Sequence, residues 1–340
     1  MSQVLMMPAA AAGFYSLFGR VEKAAGDTLN LPTGMVNLGG NGKGYLLAAA
    51  SEWDPTDSEN HDGTVSGLSL GDDVYLYAVP DDSGYAKWLA SKNATTPDGH
   101  SSQDSRKMGG FHYGRVRAIA QAYDAGATLS VEIIANSCWD LGHRPKCDPS
   151  GMVEVVPDAL WVDIYLASEG PGSWPDTVPE SRYDAVPLSG SDGYSRYYDY
   201  TRLARNAGKR LPSYSEFVAL AYGVPQGATD AGGRVNTGQH GDYGFECVSC
   251  LNVDQPSGNL LQQSIHIFDR NTSNSWSDLL NEGKDSAHDH GQINQDSART
   301  ATLGGHWTRG AEAGARCVDL DSTPWTVLSG TGLRAVCDSL

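Results

Sequence analysis

The stretch that decides the fold is "GGHWTRGAEAGARCVDLDSTPWTVLSGTGLRAVCD", from Gly304 to Asp338. Gly304, Gly305, Trp307, Gly314, Arg316, Gly332 and Arg334 recur in it as if to hold a tight backbone. Glycine supplies turns and close backbone approach. Tryptophan offers a large apolar anchor. Arginine ties loops through paired hydrogen bonds to carboxylates or carbonyls. Between them stand His306, Thr308, Arg309, Cys317, Asp319, Asp321, Ser322, Thr326 and Leu328, which share no chemistry. Such a segment reads as a frame that carries the fold around side chains that the core does not use. It is expected to be ordered, with Trp307 buried, Gly305 and Gly314 in turns, and the interleaved side chains exposed on one face.

Upstream lie the two clearest helix patterns. "DGYSRYYDYTRLARNAG" ends in basic residues and Gly208, a helix stop. In "KRLPSYSEFVALAYGVPQG", Ser213 is placed to cap a helix and Glu216 to complete a capping box. Phe217, Leu220 and Ala221 form its apolar stripe, and Gly223 and Pro225 end it. The rest of this half is irregular and polar.

The first half reads as strands. In "LSLGDDVYLYAV", Val74, Leu76 and Ala78 fall on one face and Tyr75 and Tyr77 on the other. "SGYAKWLAS" follows at hairpin distance. "DSRKMGGFHYGRVRAI" predicts a bend and a strand with Gly109 and Gly110 at the corner, and "TLSVEIIAN" and "ALWVDIYLAS" predict two more strands. "LPTGMVNLGGNGKGYLLAAA" lacks the Gly-Lys-Ser/Thr ending of a phosphate loop and reads as a turn before an apolar strand. The Pro-, Gly- and Ser-rich stretch beginning at Ser168 marks a boundary near residue 170. The fold class is therefore α+β, with an antiparallel β-rich part first. Three parts are expected: an N-terminal segment over residues 1–60 serving oligomerisation or attachment, a β-sandwich-like domain over 61–170, and a ligand-binding domain over 171–340.

Composition limits the function. The chain has 340 residues and a formal net charge of −17. That charge disfavours phosphate-mediated nucleic-acid binding and binding to anionic lipid. No apolar run is long enough to span a membrane, and the start lacks the basic residues of a signal peptide. "CVSC" (Cys247 to Cys250) has metal or redox spacing, but no second pair follows it, so free thiols or an occasional disulfide are expected. "HDH" (His288 to His290), with His266 or His306 as helpers, reads as a solvated loop rather than a metal site. Neither a GxSxG elbow nor an HExxH pair occurs. The residues therefore point to no catalysis, no cofactor and no metal.

Several motifs carry a resemblance. "GKRLPSYSEFVALAYG" (Gly208 to Gly223) is similar to the helix-opening segment of C-type lectin folds of the formylglycine-generating-enzyme type. "LNVDQPSGNLLQQS" resembles the central strand of that fold, and "LGGHW" and "TGLRAVCD" its closing strands. The order Gly-Gly-x-Trp, Ala-Gly-x-Arg, Pro, Gly-x-Arg-x-Val-Cys-Asp resembles the variable proteins of diversity-generating retroelements, above all those that determine phage tropism at the tail fibre. "DVYLYAV", "DSRKMGGFH" and "WVDIYLAS" are similar to the middle β domain of those proteins.

The resemblance implies a C-terminal C-type lectin-like domain whose variable region spans about residues 304–338. It implies a homotrimer at a phage tail-fibre tip that binds a protein or other receptor on a host cell. The alternatives are a cellular surface-display protein of the same fold or an oxidoreductase of the formylglycine-generating type. In that family, error-prone copying at template adenines rewrites codons of the AAC type. His306, Thr308, Arg309, Cys317, Asp319, Asp321, Ser322, Thr326 and Leu328 match variable positions, and each is reachable from AAC. Trp307, Glu312 and Trp325 are not, as framework requires. The Glu-Pro-Asn or Gln-Pro-Asp loop and the Trp-Asn-Asp strand of calcium-dependent sugar binders are missing. Cys317 and Cys337 stand too far apart to match the catalytic pair of formylglycine-generating enzymes.

Overall fold

The structure, a computed structural model, describes residues 4–6, 13–39, 43–193, 196–269, 276–277, 293–294 and 298–340. The His288–His290 triplet lies outside the described residues. The protein is mostly β, with two α-helices among the described residues. It divides into two compact units. One holds Met1–Val116, Leu129–Trp161 and Asp338–Leu340, and the other Arg117–Thr128 and Val162–Cys337.

The first unit is built on a nine-stranded sheet. Asp73–Pro80 has the expected alternation, and Val74 to Val79 are buried on both faces. It pairs antiparallel with Ala86–Ser91, the expected hairpin. On its other side runs Arg106–Val116, one unbroken strand.

Gly109 and Gly110 lie inside that strand rather than at a corner. A Cβ on Gly109 would meet the Trp139 carbonyl oxygen at 2.5 Å, and one on Gly110 the Val74 carbonyl oxygen at 2.6 Å. These glycines thus serve close backbone approach, and a bulge between Lys107 and Gly109 absorbs the irregularity. Lys43–Leu47 joins the same sheet beside Ala86–Ser91, followed by Thr33–Asn37 and Tyr15–Phe18. Strands from residues 1–60 therefore share one sheet and one core with the strands that follow. Val36, Leu47, Val65, Leu76, Trp88, Met108 and Phe111 are all buried in it.

One of the chain's passages between units falls inside the strand Leu160–Asp163. The chain does not pass in the Pro- and Gly-rich stretch, which is tied to the second unit. Asn206 Nδ2 donates to the carbonyls of Pro175 and Thr177, each at 2.9 Å.

In the second unit, helix α1 spans Tyr197–Asn206 and buries Tyr200, Leu203 and Ala204. Gly208 follows with φ +70°, the left-handed stop that its sequence position predicts. Helix α2 spans Tyr214–Leu220. Its capping box is formed: Ser213 Oγ accepts from the Glu216 amide at 3.2 Å, and Glu216 accepts from the Ser213 amide at 2.7 Å. Burial raises the Glu216 pKa, but Arg210 and the Ser213 donors outweigh it and hold it at about 2.

The sheet of this unit has the order Val318–Asp319, Ala298–Leu303, Leu261–Asp269, Thr331–Gly332. Leu261–Asp269 hides in sequence because Gln262, Gln263 and Ser264 are polar yet buried. Tertiary partners, among them Arg334 and backbone carbonyls, satisfy Gln262 and Gln263.

Candidate functional site

Around the residues expected to frame this stretch, the contacts are made mostly by backbone. Gly304 and Gly305 are buried with φ +89° and +80°. A Cβ on Gly304 would stand 2.6 Å from the Pro256 carbonyl oxygen, and one on Gly305 would stand 2.8 Å from Ala313. The Gly304 amide donates to the Cys317 carbonyl at 3.0 Å, and the Gly314 amide to the Gly304 carbonyl at 3.2 Å. The Trp307 amide reaches the Asn259 carbonyl at 3.1 Å, while the Asn259 side chain bonds the Val235 backbone in both directions. Gly332 is needed for room, since a Cβ there would lie 2.6 Å from Leu260 and 2.8 Å from the Leu188 carbonyl oxygen.

Arg334 is fully buried. It donates to Gln262 Oε1 at 2.8 Å and to the carbonyls of Asp163, Ile164, Asp254 and Gln255 at 2.5 to 3.0 Å. Burial lowers its pKa to about 10, so it keeps its charge at neutral pH.

Three frame residues differ from expectation. Trp307 is half-buried, with its ring edge-on to His306 at 5.3 Å, because it anchors the rim and not the core. Arg316 is exposed; its backbone carbonyl accepts from Tyr214, but its side chain lies in solvent. Gly314 lacks a positive φ and has 4.0 Å of clearance to its nearest neighbour, so neither strain nor space requires glycine there.

The interleaved side chains lie outside this frame. Thr308, Asp321 and Leu328 are exposed, and His306, Arg309, Cys317, Asp319, Ser322 and Thr326 are half-buried. None belongs to the core. Their backbones, in contrast, are tied down. The Thr300 amide donates to the Ser322 carbonyl at 2.8 Å, the Arg309 amide to the His306 carbonyl at 3.0 Å, and the Thr331 amide to the Leu328 carbonyl at 3.1 Å.

Arg309, Cys317 and Asp319 border a recess of about 380 Å³, with Glu312, Val318 and Leu320. Arg309 pairs with Asp319 at 3.0 Å and Glu312 at 3.4 Å. Partial burial, then the Arg309 charge, hold the His306 pKa below its ordinary value. Burial likewise raises the Cys317 thiol above its ordinary value. The sequence reading did not assign Val318, Leu320 or Leu261 to this recess. Leu261 comes from a distant strand, and only strand pairing brings it there.

Other chemical candidates disperse. Cys247 and Cys250 are unpaired thiols with different acceptors, Ser257 at 3.4 Å and Ala118 at 3.6 Å. Burial pushes Cys247 up to about 12, far from a reactive thiolate. Neither Cys317 nor Cys337 is in a disulfide, and Cys337 Sγ donates to the Gly208 carbonyl at 3.8 Å. His266 Nε2 accepts from the Tyr214 amide at 3.2 Å, which occupies it locally.

The chain is similar to several known proteins. Residues 22–140 match the family described as the Mtd second domain. The tail fiber receptor-binding protein of Bordetella phage BPP-1 is 30% identical over 291 residues, covering 82% of this chain and 74% of that protein. The structures of the Major Tropism Determinant P3c and U1 variants superpose with TM-scores of 0.72 and 0.71, at 25% identity, over all of this chain and 86% of theirs. The chain therefore belongs to the family of phage tail-fibre receptor-binding proteins, the tropism determinants.

Proposed function

We propose that this protein binds a receptor on a host cell through the side chains interleaved in residues 304–338, as a tropism determinant carried at a phage tail-fibre tip. One observation carries the reading. The glycines at 304, 305 and 332 and Arg334 are buried, while His306, Thr308, Arg309, Cys317, Asp319, Asp321, Ser322, Thr326 and Leu328 all reach solvent. A surface that accepts change must leave the core untouched, and this one does. The second unit is a C-type lectin-like fold, and retroelement-driven variation acts on these positions. The protein acts by binding and without turnover. The receptor-binding name of one relative and the tropism-determinant names of the similar structures support this reading, and neither names an oxidoreductase.

Three copies with parallel binding faces turn weak single-site contacts into avidity. The experiment compares cell binding by the wild type and by variants with Arg309, Asp319 and Asp321 replaced together. Loss of binding with an unchanged melting curve is expected. Full binding by the triple variant would overturn the assignment.

A further inference from the structure

We propose that His143, Glu154 and Asp158, in the first unit, bind one divalent transition-metal ion of the zinc class. One donor atom from each lies within 4.8 Å of the others. Their spacing in sequence resembles no ligand motif, so only the fold assembles them.

Each residue is positioned by its own local structure. A tight turn fixes His143, whose amide donates to the Asp140 carbonyl at 3.1 Å and to Asp140 Oδ1 at 3.0 Å. Its ring packs against Trp161 at 5.5 Å. Glu154 sits on the strand Met152–Val156, and its Oε1 accepts from the Asp158 amide at 2.7 Å. That bond leaves Oε2 facing His143 Nε2 at 3.3 Å. Asp158 occupies the turn after that strand with φ +55°, a conformation that aspartate tolerates better than most residues. It faces His143 Nδ1 at 3.5 Å.

The donor chemistry selects the ion. Imidazole with two carboxylates suits zinc-like ions, whereas calcium and magnesium prefer oxygen alone. Tetrahedral ligands at about 2.0–2.2 Å from an ion stand roughly 3.3 Å apart, which His143 and Glu154 already satisfy. One ion takes one ring nitrogen, here Nε2 beside Glu154; the Asp158 side chain, 65% exposed and now beside Nδ1, swings from there to close on the ion, and water completes the shell. A cavity of about 320 Å³ lined by His143 and Glu154 provides access. Arg20, paired with Asp158 at 2.8 Å and itself 48% exposed, is the cation that the metal displaces.

The test is calorimetric titration of the full chain with zinc chloride, and separately with calcium chloride. One saturable zinc equivalent is expected, with calcium much weaker. His143→Ala and Glu154→Gln should each weaken zinc binding at least about tenfold. Arg20→Ala should match or exceed the wild type. Far-ultraviolet circular dichroism checks that each variant is folded, and Asp158→Asn, at an exposed position, serves if the two half-buried variants are not. No saturable zinc binding, or binding unchanged in His143→Ala or Asp158→Asn, would overturn the proposal.

Discussion

Arg334 and Arg309 stand in the same closing stretch, and each has lost part of its hydration. Arg334 has lost all of it and is repaid by four backbone carbonyls and one side-chain amide. Those acceptors are fixed, so no other residue type can satisfy them. Arg309 remains half-exposed, and its partners Asp319 and Glu312 are side chains that water can replace. The contrast extends to the regions around them. From Ala298 to Gly305 and from Thr331 to Cys337 nearly every residue is buried, whereas from His306 to Ser329 only Ala313 and Pro324 are. Tolerance to substitution follows from what each side chain's partners are, not from its residue type.

The largest effect that this comparison predicts is at Arg334. Arg334→Met removes the guanidinium donors from the Gln262 amide oxygen and from four carbonyls, of which only that of Ile164 is seen to keep another donor, the Asp254 amide at 2.9 Å. Each orphaned group costs about 1–3 kcal/mol, so a loss of at least ~4 kcal/mol is expected. Denaturant unfolding measures it. A loss under ~1 kcal/mol would mean that water or rearrangement satisfies those carbonyls and that the frame is softer than described.

Next come the glycines, where two neighbours in the same segment should part. Gly304→Ala must adopt φ +89° and place its Cβ 2.6 Å from a carbonyl oxygen. Strain of about 1–3 kcal/mol is expected from the backbone conformation alone. Gly314→Ala meets neither obstacle and should be neutral, or stabilising by up to ~1 kcal/mol through the unfolded state. Equal melting temperatures for the two variants would break the distinction. Trp307→Ala falls between them. A fully buried aromatic truncation costs about 3–5 kcal/mol, and half-burial at the rim should reduce that to roughly 1–2 kcal/mol.

Much of the frame was legible because local rules and the global fold agreed there. The Ser213–Glu216 box, the Gly208 stop and the Val74–Val79 alternation each encode their own geometry. What escaped depended on partners far along the chain. Gln262 and Gln263 look like loop residues until Arg334 and the backbone satisfy them. Gly109 and Gly110 look like a corner until Trp139 is seen against them. At the site, the alternation between constrained and unconstrained residues was readable, but its depth was not. Trp307 stops half-way into the protein, Arg316 projects from it, and Leu261 enters the recess from another strand.

The smallest effect on stability belongs to the interleaved residues, and the Arg309–Asp319 pair tests it most severely. At 3.0 Å this ion pair is shorter than the Arg309–Glu312 pair at 3.4 Å, and the side chains are 39% and 23% exposed. Ion pairs with such access to water contribute about 0–1 kcal/mol. Arg309→Ala and Asp319→Ala should each change unfolding stability by about 0.5 kcal/mol or less. The double variant should fall within ~0.5 kcal/mol of their sum. Salt should weaken the small coupling that remains, since exposed charges are screened. A coupling of 2 kcal/mol, on the order of what buried networks show, would place this pair in the frame. The recess would then be a constrained structural feature, and positions 309 and 319 could no longer vary independently of each other.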